Sequence, residues 1–109
     1  MRMITIGGQT IGVQGGAWAP FLYDQEFSTE TTCFFTDLSR SPDPVFLLKV
    51  AWAMAKTYDE TFPPFEQWAK TLNISMQAGA PWTQEVVAAL NAEVFRSTDD
   101  SDGEPRQED

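Results

Sequence analysis

An almost unbroken apolar run from Val45 to Ala55 constrains the fold more than any other part of the sequence. It reads VFLLKVAWAMA and is interrupted only by Lys49. A membrane-spanning helix needs about 20 apolar residues, so the run is too short for a bilayer. A helix that is apolar around most of its circumference is instead typical of a buried element. The pattern predicts a central helix over residues 44–57, with Asp43 as its cap.

The first residues predict a β-hairpin over 3–13. Two β-branched segments flank Gly7-Gly8, and a two-residue glycine turn is a strong hairpin signal. The register of this turn makes two cross-strand pairs, Ile4 with Ile11 and Thr5 with Thr10. The face predicted to pack on the rest of the domain consists of Ile4, Ile6, Ile11 and Val13.

Apolar spacing and breaker residues predict four more helices. They cover residues 17–27, 29–38, 64–72 and 82–95. The segment 29–38 fits a strand as well, because it contains β-branched residues, and we favour the helix. The predicted core includes Leu47, Val50, Ala51, Met54, Val86, Val87 and Leu90. The fold class is therefore mainly α with an N-terminal β-hairpin, a small α+β domain over residues 1–95.

Residues 96–109 differ in composition from the rest of the chain. They contain six acids, two arginines and no large apolar side chain, which predicts a disordered acidic tail. The formal charge of the whole chain is −9. A chain this acidic is a poor candidate for nucleic-acid backbone or for anionic lipid. One cysteine and no apolar run of signal-peptide length predict a cytoplasmic protein.

The residues that usually carry catalysis are scarce. Histidine is absent, which removes the commonest general base and metal ligand. Cys33 has no base near it in the sequence, and the glycine-rich start lacks a phosphate-binding loop. We interpret the acidic pairs Asp24/Glu26 and Asp59/Glu60 as solvated charge. The sequence predicts no catalytic, cofactor or metal site, and hence no enzyme.

Four tryptophans and eight phenylalanines give the chain a large aromatic content. Most of them fit a core, and some fit an interaction face, where tryptophan is favoured as an anchor. The short helix after Pro63-Pro64 is our preferred face. The predicted partner-binding residues are Phe62, Phe65, Trp68 and Trp82.

The order of three segments resembles that of the tail assembly chaperones of long-tailed, siphovirus-type bacteriophages. The segments are YDQEF (23–27), LLKVAWAMAKT (47–57) and FEQWA (65–69). In that family a YEQEF-like segment, an apolar helix with the pattern LL, basic residue, WAM and KT, and an FE-WL helix recur in this order. The resemblance spans about residues 4–96.

The resemblance implies that the chain binds the tape-measure protein, keeps it soluble in the host cytoplasm and is absent from the mature virion. Many such proteins also exist in a longer form made by ribosomal frameshifting, whose extension recruits the tail tube protein. Self-association is expected, because one small domain cannot coat a long partner. Two alternatives stay open: a structural tail or head-completion protein retained in the virion, and an acidic decoy of a host nucleic-acid-binding protein.

Overall fold

The computed structural model describes residues 2–40 and 43–95. These residues form a mainly helical fold with an N-terminal antiparallel β-hairpin, so the predicted fold class is confirmed. The predicted tail, 96–109, lies outside the described residues. The elements in chain order are β1 (Arg2–Ile6), β2 (Gln9–Val13), α1 (Trp18–Phe27), α2 (Phe34–Ser39), α3 (Pro44–Tyr58), α4 (Phe65–Ala69) and α5 (Pro81–Glu93).

The hairpin has the predicted register. Ile4 pairs with Ile11 and Thr5 pairs with Thr10. Gly7 and Gly8 form the turn with φ of 59° and 83°, a left-handed conformation that glycine adopts without strain. The predicted inner face is buried in full, and it consists of Ile4, Ile6, Ile11 and Val13.

Helix α3 is the central helix of the domain. Its side chains from Phe46 to Ala55 are buried, except for the half-buried Lys49. Asp43 accepts a 2.8 Å hydrogen bond from the backbone N–H of Phe46, which caps the helix as predicted. None of the helices in the described ranges combines the length and the apolar character that a bilayer span requires.

Helix α2 is shorter than the predicted 29–38 and begins at Phe34. The preceding threonines bond to each other instead of entering a helix: Thr29 and Thr32 share a 2.7 Å side-chain hydrogen bond, and the N–H of Thr29 donates to the carbonyl of Thr32. Threonine and serine side chains compete with helical hydrogen bonding in this way. The first N–H of α2, that of Phe34, donates to the Asp24 carboxylate at 2.6 Å.

Helix α4 ends at Ala69, short of the predicted Leu72. Beyond it the chain tightens into a turn, in which the N–H of Leu72 donates to the carbonyl of Ala69 at 3.1 Å. The turn before α4 is held by two long side chains of α3. The Trp52 indole donates to the carbonyl of Pro63 at 2.8 Å, and Lys56 Nζ donates to that of Phe62 at 2.9 Å.

Helix α5 corrects one predicted core residue. Its buried face contains Trp82, Val86, Ala89 and Leu90. Val87 was predicted in the core, but 40% of its surface is exposed, so this prediction is wrong. The physical reason is the helical repeat: a residue one step from Val86 is rotated by about 100° around the helix axis, and here that turns it outward.

Candidate protein-binding surface

The two tryptophans of the predicted partner-binding set lie in the core. Trp68 is 3% exposed and Trp82 is 6% exposed. The indole N–H of Trp68 donates to Gln9 Oε1 at 3.3 Å, which ties α4 to the hairpin. That of Trp82 donates to the carbonyl of Ser75 at 2.7 Å, which ties the loop before α5 to its first turn. Both rings therefore fill space and also hold a neighbouring segment.

The two phenylalanines of that set are half-buried in the same aromatic cluster. The ring centroid of Phe62 lies 5.4 Å from that of Trp68, and the centroid of Phe65 lies 5.0 Å from that of Phe27 and 6.3 Å from that of Trp52. Most of the ring pairs meet edge to face, the arrangement that aromatic quadrupoles favour. The four side chains thus pack in or against the core, and their contact with a partner stays a prediction.

An apolar groove lies between the first turn of α3 and the outer face of α5. Its volume is about 500 Å³. One wall is a single stripe of α5, because its residues are three or four positions apart. The loop before α5 closes one end. The groove is lined by Pro44, Leu47, Ala78, Gly79, Thr83, Gln84, Val87, Ala88 and Asn91.

No side chain that lines this α3–α5 groove is charged. That is notable in a chain with 23 charged residues, seven basic and 16 acidic. Thr83 is buried, and its hydroxyl donates to the carbonyl of Ala80 at 2.5 Å, so it is satisfied within the helix turn. The amides of Gln84 and Asn91 are the remaining polar side chains of the groove. An uncharged groove of this kind fits the apolar face of a partner helix.

A second exposed apolar feature lies on α1. Trp18 and Phe21 are 52% and 50% exposed, and their ring centroids are 5.0 Å apart. The sequence analysis did not single them out as a surface. The buried face of α1 indicates which of its residues point outward. It contains Ala19 and Tyr23, which are four residues apart. Trp18 and Phe21 fall between the positions of that inward stripe.

Two side chains that could act chemically, those of Cys33 and Asp59, take part in local hydrogen bonds of the fold. The backbone N–H and the hydroxyl of Thr36 lower the pKa of Cys33, whose sulfur lies 3.7 Å from that hydroxyl. The Asp59 carboxylate accepts from the hydroxyl of Thr61 at 2.6 Å and from its N–H at 3.0 Å, which lowers the pKa of Asp59. Within residues 2–40 and 43–95, no group of three or more potential ligands is placed to hold a metal ion.

Comparison with known proteins adds no relative to this picture. No protein-family model, curated protein or solved structure matches the chain.

Proposed function

We propose that this chain is a tail assembly chaperone of the siphovirus type, and that its α3–α5 groove holds apolar helical stretches of the tape-measure protein. The groove is the observation that carries the proposal, because it is an uncharged apolar surface on a strongly acidic chain. The order of the sequence segments that resemble this family supports the identity of the partner.

The physical requirements of the task match the surface. A tape-measure protein is long and helical, and its apolar faces are uncovered before tube protein surrounds it. A chaperone must cover those faces and keep the complex soluble. The groove supplies apolar contact, and a net charge of −9 opposes aggregation of the loaded complex.

Release is also required, since a chaperone leaves before the tail is complete. The groove contains no charged side chain that would form a desolvated ion pair with the partner. Binding then depends mainly on apolar burial, which a competing tube subunit can replace with its own apolar surface. In this proposal the chain acts in the host cytoplasm and is absent from the finished virion. In the same proposal, recruitment of tube protein belongs to a longer, frameshifted form of the chain.

A co-expression experiment tests the proposal. A tagged copy of the full chain is produced together with the tape-measure protein of the same virus, and the soluble tape-measure protein that it retains is quantified. Val87→Asp places a charge in the groove at a position that is already 40% exposed. Val45→Asp is the matched control, because Val45 is 50% exposed on α3 and does not line the groove.

The expected result is retention by the wild type and by Val45→Asp, with loss of at least about tenfold for Val87→Asp. Far-UV circular dichroism checks that both variants are folded. Failure of the wild type to retain the tape-measure protein overturns the proposal. Detection of the chain in purified virions favours a structural protein instead, and capture of a host DNA-binding protein alone favours the acidic decoy.

A further inference from the structure

The hairpin has an open edge along β1. In the described part of the chain, β2 is the one strand that pairs with β1. The two-residue turn makes Ile6 and Gln9 a hydrogen-bonded pair, and bonded and non-bonded pairs alternate from there. Met3 and Thr5 belong to non-bonded pairs, so their backbone N–H and C=O groups point away from β2. An edge of this kind is a template for another strand.

The outward groups of β1 are only lightly covered. The N–H of Thr5 donates to Glu85 Oε1 at 3.2 Å, through an exposed side chain of α5. Met3 is 52% exposed. The other edge of the sheet is covered, because the Tyr58 ring packs against Gly12 and the N–H of Gln14 donates to the carbonyl of Met54 at 3.0 Å.

A groove of about 580 Å³ runs beside this edge, between β1 and α5. It carries one group of each sign, the guanidinium of Arg2 and the carboxylate of Glu85. Both side chains are exposed. Arg2 is the first residue of β1, and Glu85 accepts from the N–H of Thr5, near the other end of the strand. The two charges therefore lie at opposite ends of the open edge of β1.

We propose that β1 pairs antiparallel with β1 of a second copy of this chain, about a twofold axis beside Ile4, so that two hairpins form one four-stranded sheet. In this register Met3 lies opposite Thr5 of the second copy, and Thr5 lies opposite Met3. These are the residues whose backbone groups point outward, and they form about four backbone hydrogen bonds across the axis. Ile4 and Ile6 keep their inward orientation, so each core stays intact.

Charge selects a second copy as the occupant. The antiparallel register brings Arg2 of one copy next to the end of β1 where Glu85 of the other copy lies. The twofold axis repeats this contact, so each Arg2 meets the Glu85 of its neighbour. The Glu85 carboxylate gives up the N–H of Thr5 to the new strand and gains a guanidinium. A partner without this pairing of signs leaves both charges unmatched.

Sedimentation velocity of the purified full chain, over a range of concentrations, tests this dimer without any other protein. Success or failure is therefore independent of the proposed chaperone function. Met3→Pro removes an outward N–H of β1 and leaves the hydrogen bonds to β2 in place. Thr10→Pro is the matched control, since it removes an outward N–H from β2, the other strand of the same hairpin. We expect Met3→Pro to weaken self-association by at least about tenfold and Thr10→Pro to leave it unchanged.

A charge exchange gives a second measurement that does not depend on proline. Arg2→Glu alone should weaken the dimer by about tenfold, because each axis-related contact becomes repulsive, and Arg2→Glu combined with Glu85→Arg should restore it. A chain that stays monomeric at all concentrations overturns the inference. So does a dimer that is indifferent to Met3→Pro, or, if that variant does not fold by circular dichroism, a dimer that is indifferent to the charge exchange.

Discussion

The phenol of Tyr23 lies buried between α1 and α2 and donates a 2.7 Å hydrogen bond to Asp37. Its ring also packs on Phe27, Phe34 and Phe46, with centroids 5.1, 5.5 and 5.7 Å away. Burial first, and then the bond to Asp37, raise the pKa of this phenol above its ordinary value of 10.0. The stability that the neutral phenol contributes is therefore fully present below this ordinary pKa. It is lost as the pH rises through the higher pKa that the phenol has in the folded state.

Tyr23 is one of two tyrosines, so its titration can be isolated. In a Tyr58→Phe background we expect no tyrosinate absorbance until far-UV circular dichroism shows the fold itself being lost, at a pH well above about 10. The measurement is a parallel absorbance and dichroism titration. Ionisation near pH 10 with unchanged dichroism would contradict the buried geometry. Tyr23→Phe keeps the ring and should lose stability less steeply above that pH than the wild type.

Two tryptophans in different environments give a matched comparison of core and surface. Trp68→Ala removes a ring that is 3% exposed and should lower the free energy of unfolding by about 3–5 kcal/mol. Trp18→Ala removes a ring that is 52% exposed and lies tilted against Phe21, and should lower it by about 1 kcal/mol or less. Urea unfolding followed by circular dichroism measures both.

The same comparison bears on the predicted partner-binding set. If Trp68→Ala keeps its stability but no longer retains the tape-measure protein in the co-expression experiment, the ring contacts the partner. The face of α4 that contains Trp68 would then be the candidate binding surface. If it loses stability as expected, the contribution of Trp68 is to the core.

At the scale of elements, the junction between β2 and α1 depends on one close approach. A Cβ at Gly15 would overlap the backbone of Glu93 at the end of α5. Backbone cannot rotate away as a side chain can, so Gly15→Ala should lower the free energy of unfolding by about 3 kcal/mol or more. The N–H of Gly15 also donates to the Glu93 carboxylate at 3.3 Å, a bond that the displaced chain would lose. Thermal and urea denaturation of this variant check the expectation.

Gly12→Ala is the control for that substitution. A Cβ at Gly12 would lie 2.6 Å from the Tyr58 ring, which is 46% exposed and can swing aside. We therefore expect a smaller loss for Gly12→Ala than for Gly15→Ala, and removal of the ring by Tyr58→Ala should reduce it further. Equal losses at the two glycines would show that the backbone contact of Gly15 does not decide the junction.

Elements with a complete local signal could be predicted from the sequence. The hairpin register follows from Gly7-Gly8, and the start of α3 follows from Asp43 and Pro44. The start of α2 could not be predicted, because Thr29 and Thr32 satisfy each other in a turn that β-branched composition does not specify. Local patterns contain no information on which side chains will bond across such a turn.

The candidate site was harder to predict from the sequence than the elements were. The α3–α5 groove exists because Leu47 and Val87 lie on different helices that tertiary packing brings together. Apolar spacing marked both residues as core, and only one of them is buried. Aromatic content pointed to Trp68 and Trp82, but the same property makes a good anchor and a good core residue. Burial, which depends on neighbouring elements, separates these two roles.

At the scale of the whole molecule, one core joins every element. The buried cluster contains side chains from both strands and all five helices that the structure describes. A two-stranded hairpin is marginal alone in water, and α4 has five residues, so neither can persist when the cluster is lost. The described elements should therefore unfold together.

Unfolding in urea tests this cooperativity, because two probes report on different parts of the molecule. Fluorescence reports on the four tryptophans, of which Trp52, Trp68 and Trp82 are buried, and far-UV circular dichroism follows the helices. We expect coincident single transitions, with a slope of about 1 kcal/mol per molar urea for a domain of this size. A fluorescence transition that precedes the dichroism would mean that the packing around these tryptophans, which include Trp82 at the start of α5, is lost before the helices melt. The α3–α5 groove, one wall of which is α5, would then open below the global transition.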